Sequence, residues 1–268
     1  MNTIKVEGIS VNDYGGEGNA LIFIHAFPLC SRMWDSQVEH FSKMYRVVTY
    51  DVRGLGYSTD IPDYQFTMEE LVNDLIMIMD HLGIDKAHAC GLSMGGYILQ
   101  RAMLKNPGRF LSATLADTKS EGENNESLLS RSNDIIKIKS EGTDGFFDGM
   151  VKKLISERSY ENEEPRTFIR TMMSWMKPEG VIGTMMAIAT RTNSFYLLKD
   201  IEIPCHVIVG RNDVLTPPVK SFFMKENLKE VEFTVIEECG HLSNMEKHEE
   251  FNSAVERFLK HVEENLTK

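Results

Sequence analysis

The feature that most constrains this chain is a succession of short, largely apolar runs separated by helix-patterned stretches. The runs are Ala20–Ile24, Arg46–Tyr50, Ala87–Gly91, Phe110–Ala116, Cys205–Val209 and Glu232–Ile236. Each is bounded by turn residues and too short to be a helix, so each reads as a strand buried on both faces. Strands of that kind need cover above and below, and parallel strands need long connections, which the intervening helices supply. The clearest helix begins at Thr67, where Thr67 and Glu70 fit a capping box. It continues through Leu71, Leu75, Ile78, Met79 and Leu82 to a terminating Gly83. A second runs from Met94 to about Asn106 and is stopped by Pro107, and a third carries Phe251, Ala254, Val255, Phe258, Leu259 and Val262 on one face. The expected fold class is α/β, with a mostly parallel central sheet flanked by helices.

One stretch breaks the rhythm. Residues 119–198 hold no strand pattern, only helix-like groups after a polar, flexible-looking opening, KSEGENNES. Phe146, Phe147, Met150 and Leu154 form one apolar group, Phe168, Met172, Met173, Trp175 and Met176 a second, and Val181, Ile182, Met185, Met186 and Ile188 a third. The expectation is a core built from residues 1–118 and 199–268, with a helical cap inserted at 119–198. Phe27, Met172, Trp175 and Met176 are the expected apolar contacts to a substrate.

Composition excludes several function classes. A net charge of −11 with no Lys/Arg cluster argues against nucleic acid or an anionic membrane as partner. No apolar run approaches a bilayer span, and MNTIKVEGIS lacks the apolar centre of a signal peptide, so the expected location is the cytoplasm. Cys30, Cys90, Cys205 and Cys239 are widely spaced and read as reduced thiols, and no Cys/His pair has metal-ligand spacing. No metal or cofactor is expected, and the chain is expected to be a monomer or homodimer.

The candidate chemistry centres on Gly91-Leu92-Ser93-Met94-Gly95. This G-x-S-x-G follows a strand and precedes a helix, the setting of a nucleophile elbow, with Ser93 at a helix N-terminus. A serine hydroxyl needs a base to take its proton. In the order Ser…Asp…His, Asp213 follows the strand Cys205–Val209 and His241 follows the strand Glu232–Ile236, both at the edge where such sheets build their sites. Asp117, past Phe110–Ala116, is the rival acid. Asp213 is preferred because its strand lies further from the nucleophile and follows the cap. The N–H of Met94 and the N–H of Phe27, in the loop His25-Ala26-Phe27-Pro28, are the candidate oxyanion-hole donors, and His25 is expected to brace that loop. His40, His81, His88, His206, His248 and His261 read as surface or packing residues.

Taken as a set, these motifs resemble the α/β-hydrolase superfamily, in particular small bacterial carboxylesterases, 3-oxoadipate enol-lactonases and cofactor-free haloperoxidase/perhydrolase relatives. HAFPLCSRMW is similar to their oxyanion loop, DVRGLGYS to the loop after the next strand, GLSMGG to their elbow, and VGRNDVLTPP and GHLSNMEKHEEFN to their acid and histidine loops. The resemblance covers about residues 1–117 and 200–265. Ala26 stands where members usually carry glycine. The resemblance implies two-step acyl transfer from an ester or lactone, with perhydrolase activity by the same triad as an alternative; the Met and aromatic content of the cap points to a small, largely apolar substrate, and a non-turnover ligand sensor on the same fold is the rival from a different class. A carboxylate-bearing lactone would require a cation over the pocket, for which Arg131, Arg158, Arg166, Arg170 and Arg191 are candidates.

Overall fold

The chain opens with a hairpin that its apolar pattern does not announce. In a computed structural model, which describes residues 1–61 and 63–266, β1 (Asn2–Val6) and β2 (Ile9–Asp13) pair antiparallel across Glu7-Gly8. Both turn residues have positive φ, 48° and 86°, a backbone twist that suits a two-residue hairpin. β1 escapes a sequence reading because it is the edge strand, with only Val6 fully buried, so it carries no apolar signature.

The six runs read from the sequence form the other strands: β3 (Ala20–Ile24), β4 (Arg46–Tyr50), β5 (Ala87–Leu92), β6 (Phe110–Ala116), β7 (Cys205–Gly210) and β8 (Val231–Ile236). The eight-stranded sheet has the order β1-β2-β4-β3-β5-β6-β7-β8, antiparallel only where β2 meets its neighbours. Between and after the strands come α1 (Asp35–Phe41), α2 (Met68–His81), α3 (Met94–Lys105), α4 (Asn125–Glu141), α5 (Asp144–Leu154) and α6 (Glu157–Glu161). They are followed by α7 (Glu163–Ser174), α8 (Pro178–Ala189), α9 (Pro218–Asn227), α10 (Ser243–Glu246) and α11 (His248–Leu266). Helix α2 starts with the expected capping box, Thr67 and Glu70 satisfying each other's N-terminal donors, and Gly83 takes φ +65° just past its end.

Helices α1 and α11 pack together on one face, and α2 and α3 on the other. The first layer is anchored on Phe23, whose ring lies 4.8 Å from Trp34 and 5.9 Å from Phe41, with Phe251 closing the group 6.1 Å from Trp34. With both faces covered, β3 is buried at all five residues, which is why it reads as an unbroken apolar run. Among the described residues no strand lies between β6 and β7; helices α4 to α8 occupy that segment. Nor is any described helix long and apolar enough to cross a membrane.

Parallel register does the positioning. Ile24 pairs with Gly91 and with Tyr50, Leu92 with Ala116, and Gly210 with Ile236, so the strands end along one edge. Chain direction reverses around β3, since β4 lies to one side and β5 to the other, and the crevice at such a reversal is where open α/β sheets hold ligands. Helix α3 reaches that edge by close backbone approach. A Cβ on Gly95 would sit 2.1 Å from the Ile24 carbonyl oxygen, and one on Gly91 2.3 Å from the Gly95 oxygen. Backbone cannot yield as a side chain can. Gly95→Ala is therefore expected to destabilise the fold by about 1–3 kcal/mol, the cost of forcing extra volume into a packed site. Chemical denaturation will read it, and an unchanged midpoint would contradict the close packing.

Candidate active site

Ser93 stands at the turn from β5 into α3 with φ 54° and ψ −110°, a backbone conformation that costs a non-glycine residue of order 1–3 kcal/mol. The neighbours hold it there. Its N–H donates to the Ala116 carbonyl (2.9 Å), and its own carbonyl accepts the Tyr97 N–H (3.2 Å) and the Thr118 hydroxyl (2.8 Å). The side chain is half-buried at the floor of a cavity of about 530 Å³, which His241, Phe27 and Met94 also line. That volume lies in the range of small-molecule sites.

The structure pairs His241 with Asp213. The imidazole Nδ1–H donates to Asp213 Oδ2 over 2.7 Å, and both side chains are buried. Asp213 is itself fixed by the Leu215 and Thr216 N–H groups (2.8 and 2.9 Å) and by the Thr216 hydroxyl (2.6 Å). Burial opposes its ionisation, but the His241 charge and these hydrogen bonds outweigh burial and hold its pKa below the usual carboxylate value. Burial would likewise lower the His241 pKa. The Asp213 charge and hydrogen bond, with Asp117 and then Glu246 adding, win and raise it above 6.5.

Asp117, the rival acid, sits on the same edge, but its hydrogen bonds go to other partners than His241. It accepts the Gly210 N–H (2.8 Å) and a very short hydrogen bond from the Ser243 hydroxyl. Full burial, with the Asp213 charge adding, pushes its pKa up to about 8. It is thus a mostly neutral carboxyl that ties the ends of β6 and β7 to the start of α10.

The loop after β3 is braced by His25. Its Nε2 accepts the Val52 N–H (2.8 Å), so the ring proton is on Nδ1, which donates to the Ala26 carbonyl (2.9 Å). Burial lowers its pKa and keeps it neutral. Ala26, in place of glycine, is fully buried, and its N–H points at Met33 Sδ (3.2 Å). Phe27 brings its ring to 6.2 Å from that of Phe146 in α5, so this loop joins the sheet edge to the helical segment. All four cysteines are free and buried, with the Cys30 and Cys205 thiols pushed up to about 12 by burial, so none offers a ready thiolate. No cluster of three or more metal-ligating side chains occurs among the described residues.

Three expected substrate contacts need correction. Met172, Trp175 and Met176 do not line the cavity of Ser93. Met172 is fully buried, Met176 receives the Gly56 N–H on its sulfur (3.2 Å), and Trp175 stacks with Tyr57 (5.6 Å between rings). An apolar helical group signals burial without telling what it is buried against. The apolar lining comes instead from Phe146, Met150, Met185, Ile188 and Leu215 beside Phe27. The polar opening at 119–127 is not a loose tract either. Lys119 and Glu123 line the cavity, and Asn124 caps α4 by accepting the Ser127 N–H (2.8 Å).

Glu246 is the residue sequence reasoning missed. One of its carboxylate oxygens accepts the Gly240 N–H (2.8 Å), beside His241, and the other accepts the N–H and hydroxyl of Ser156 (3.0 and 2.6 Å) between α5 and α6. The Leu242 N–H donates to the Leu154 carbonyl at the same seam (3.0 Å). The histidine loop is thus stitched to the helical segment, and the only sequence hint was an acidic residue five positions after His241.

A family model described as alpha/beta hydrolase fold matches residues 19–151. The chain is 28% identical over 245 residues to 3-oxoadipate enol-lactonase 1 of Acinetobacter baylyi, covering 91% of this chain and 90% of that one. Its structure superposes on a thermophilic esterase from Thermogutta terrifontis with a TM-score of 0.92 at 30% identity, over 98% of this chain and 99% of the other. The corresponding figures for the enol-lactonase of Burkholderia xenovorans are 0.88 and 26%, over 97% and 100%. The chain belongs to the α/β-hydrolase superfamily.

The electrostatics make one firm expectation. In NMR titrations His241 should titrate above 6.5 in the wild type, lower in Asp213→Asn, where only the Asp117 and Glu246 charges still oppose burial, and at an intermediate value in Glu246→Gln. A wild-type value at or under 6.5 would contradict the pairing.

Proposed function

We propose that this protein is a serine hydrolase that cleaves a small carboxylic ester or lactone through an acyl-enzyme on Ser93. The observation that carries the reading is a strained elbow serine and an Asp213-paired imidazole opening onto one cavity. Ser93 Oγ attacks the carbonyl carbon while His241 Nε2 takes its proton. The N–H groups of Phe27 and Met94 hold the developing oxyanion, a contribution of about 3 kcal/mol for a single donor in comparable sites. His241 then protonates the leaving alcohol or ring oxygen. A water, giving its proton to the same imidazole, cleaves the acyl-enzyme and Ser93 recovers the proton. Asp213 stabilises the imidazolium throughout without taking the proton.

In this reading residues 119–198 are a cap on a core of 1–118 and 199–268, and the cap selects the substrate. Phe146, Met150, Met185 and Ile188 supply its apolar side. The esterase and enol-lactonase relatives support the choice of acyl transfer.

A fluorophosphonate should label wild type and not Ser93→Ala, and p-nitrophenyl acetate or butyrate should be turned over by the wild type alone. No label on Ser93 and no turnover of any ester or lactone would refute the reading. Because the reacting imidazole must be neutral, kcat/KM should fall on the acid side through a pKa above 6.5. The two acids should separate clearly. Asp213→Asn should lower kcat by about 10⁴ through the wrong imidazole tautomer. Asp117→Asn replaces a mostly neutral carboxyl by an amide whose oxygen keeps the Gly210 N–H bond and whose NH2 can donate to the Ser243 hydroxyl oxygen, and should cost no more than about tenfold. Equal losses would remove Asp213 from its assigned role.

A further inference from the structure

The imidazole of His241 stands on a backbone that is pinned from two sides. On one side the preceding residues lie against the end of β7. A Cβ on Gly210 would come within 2.0 Å of the Gly240 carbonyl oxygen, and the Asn212 N–H donates to the Cys239 carbonyl (2.8 Å). On the other side the loop meets the junction of α5 and α6. A Cβ on Gly240 would sit 2.5 Å from the Ser156 nitrogen and 2.7 Å from the Ile155 carbonyl carbon. Backbone packed this closely leaves His241 little room to shift, provided that the loop and the junction stay together.

Glu246 is placed to keep them together. One carboxylate oxygen takes the Gly240 N–H (2.8 Å) and the other takes the N–H and hydroxyl of Ser156 (3.0 and 2.6 Å). An ionised carboxylate has only acceptors, so it can receive donors at both ends, and such charge-assisted bonds are the stronger kind. An amide of the same length has one oxygen, and its NH2 would face a donor. The Arg158–Glu238 pair joins the same two segments at the surface, but its side chains are 77% and 65% exposed, and such pairs contribute little. Charge is the lesser part of what Glu246 offers, because it is the weakest of the three carboxylates that raise the His241 pKa, after Asp213 and Asp117. The other titratable group on its carboxylate is the Cys239 thiol (3.8 Å), whose pKa burial pushes up, so it stays neutral. Position matters more, since a displacement of about 1 Å between reacting groups can cost about a hundredfold in rate.

We propose that Glu246 is a positioning residue for His241, with Ser156 as its anchor on the helical segment. The segment between β6 and β7 then supplies half of the mounting of the base, besides lining the cavity. The effect on turnover rests on the acyl-transfer reading, whereas the clasp itself can be read without turnover.

Two substitutions separate position from charge. Kinetics with p-nitrophenyl butyrate, expressed per site titrated by fluorophosphonate so that misfolded protein is not counted, should show kcat of Glu246→Gln lowered about ten- to hundredfold with KM within about twofold. The acid limb of its kcat profile should move to lower pH, because a negative charge near His241 is lost. Glu246→Asp keeps the charge but is one methylene too short to hold both segments, so its kcat should fall while the acid limb stays near that of the wild type. Ser156→Ala removes one donor from the far end and should give a smaller loss, again in kcat. Arg158→Gln, at the exposed pair, should leave kcat within about twofold. In hydrogen exchange the Gly240 amide should be protected in the wild type and exchange at least about tenfold faster in Glu246→Ala. If wild-type Ser93 takes no fluorophosphonate the hydrolase reading falls, yet exchange at Gly240 still decides the clasp. If Glu246→Ala does not fold, the same exchange is read in Ser156→Ala. An unchanged kcat in Glu246→Gln, a loss confined to KM, wild-type activity in Glu246→Asp, or a Gly240 amide equally protected with and without the clasp would each overturn the proposal.

Discussion

Everything about the candidate site depends on how closely α3 is pressed against the ends of β3 and β5. The Ser93 turn has positive φ, which an isolated peptide would relax at once. It persists because Gly91 and Gly95 allow backbone-to-backbone approach that any side chain would block, and because Ala116 and Thr118 hold the turn by hydrogen bonds from the neighbouring strand. The strain at one residue is thereby offset by packing over many. The same proximity presents the start of α3, with its unpaired N–H groups and positive dipole end, to the cavity.

Charge around the site is sorted by environment. Two carboxyl groups lie near one imidazole, yet they differ in state. Asp213 is ionised because a proton-bearing ring nitrogen and three further donors face it, and Asp117 is driven towards its neutral form by full burial and by the Asp213 charge. Placing both as anions would put two buried like charges together, so the geometry lets one neutralise. Elsewhere along the same cavity Glu123 gathers Lys119, Arg131 and Arg191 around one buried carboxylate.

The seam at Glu246 and Ser156 gives the helical segment a mechanical role besides lining the cavity. Hydrogen bonds from Ser156 and to Leu154 hold the histidine loop to the junction of α5 and α6, so movement of that junction would carry His241 with it. These contacts join residues some ninety positions apart, and local pattern holds no trace of such pairs.

The sequence alone determined the strands β3 to β8 within a residue, the capping box of α2, and the order in which Ser93, Asp213 and His241 meet the sheet edge. Those features follow from local rules: burial on both faces, helix-end chemistry and strand-to-loop placement are written in consecutive residues. The edge strand β1 stayed hidden because exposure leaves no apolar mark. Only the tertiary structure decided that Trp175 and Met176 meet the loop at Gly56-Tyr57 while Met172 is buried, that a polar tract read as a loose opening walls the cavity, and that Arg131 rather than the other arginines of the helical segment lines the cavity of Ser93. In an inserted helical segment every helix carries an apolar face and scattered charges. Which face meets which neighbour is set by packing across long sequence distances, and the one-dimensional pattern does not encode it.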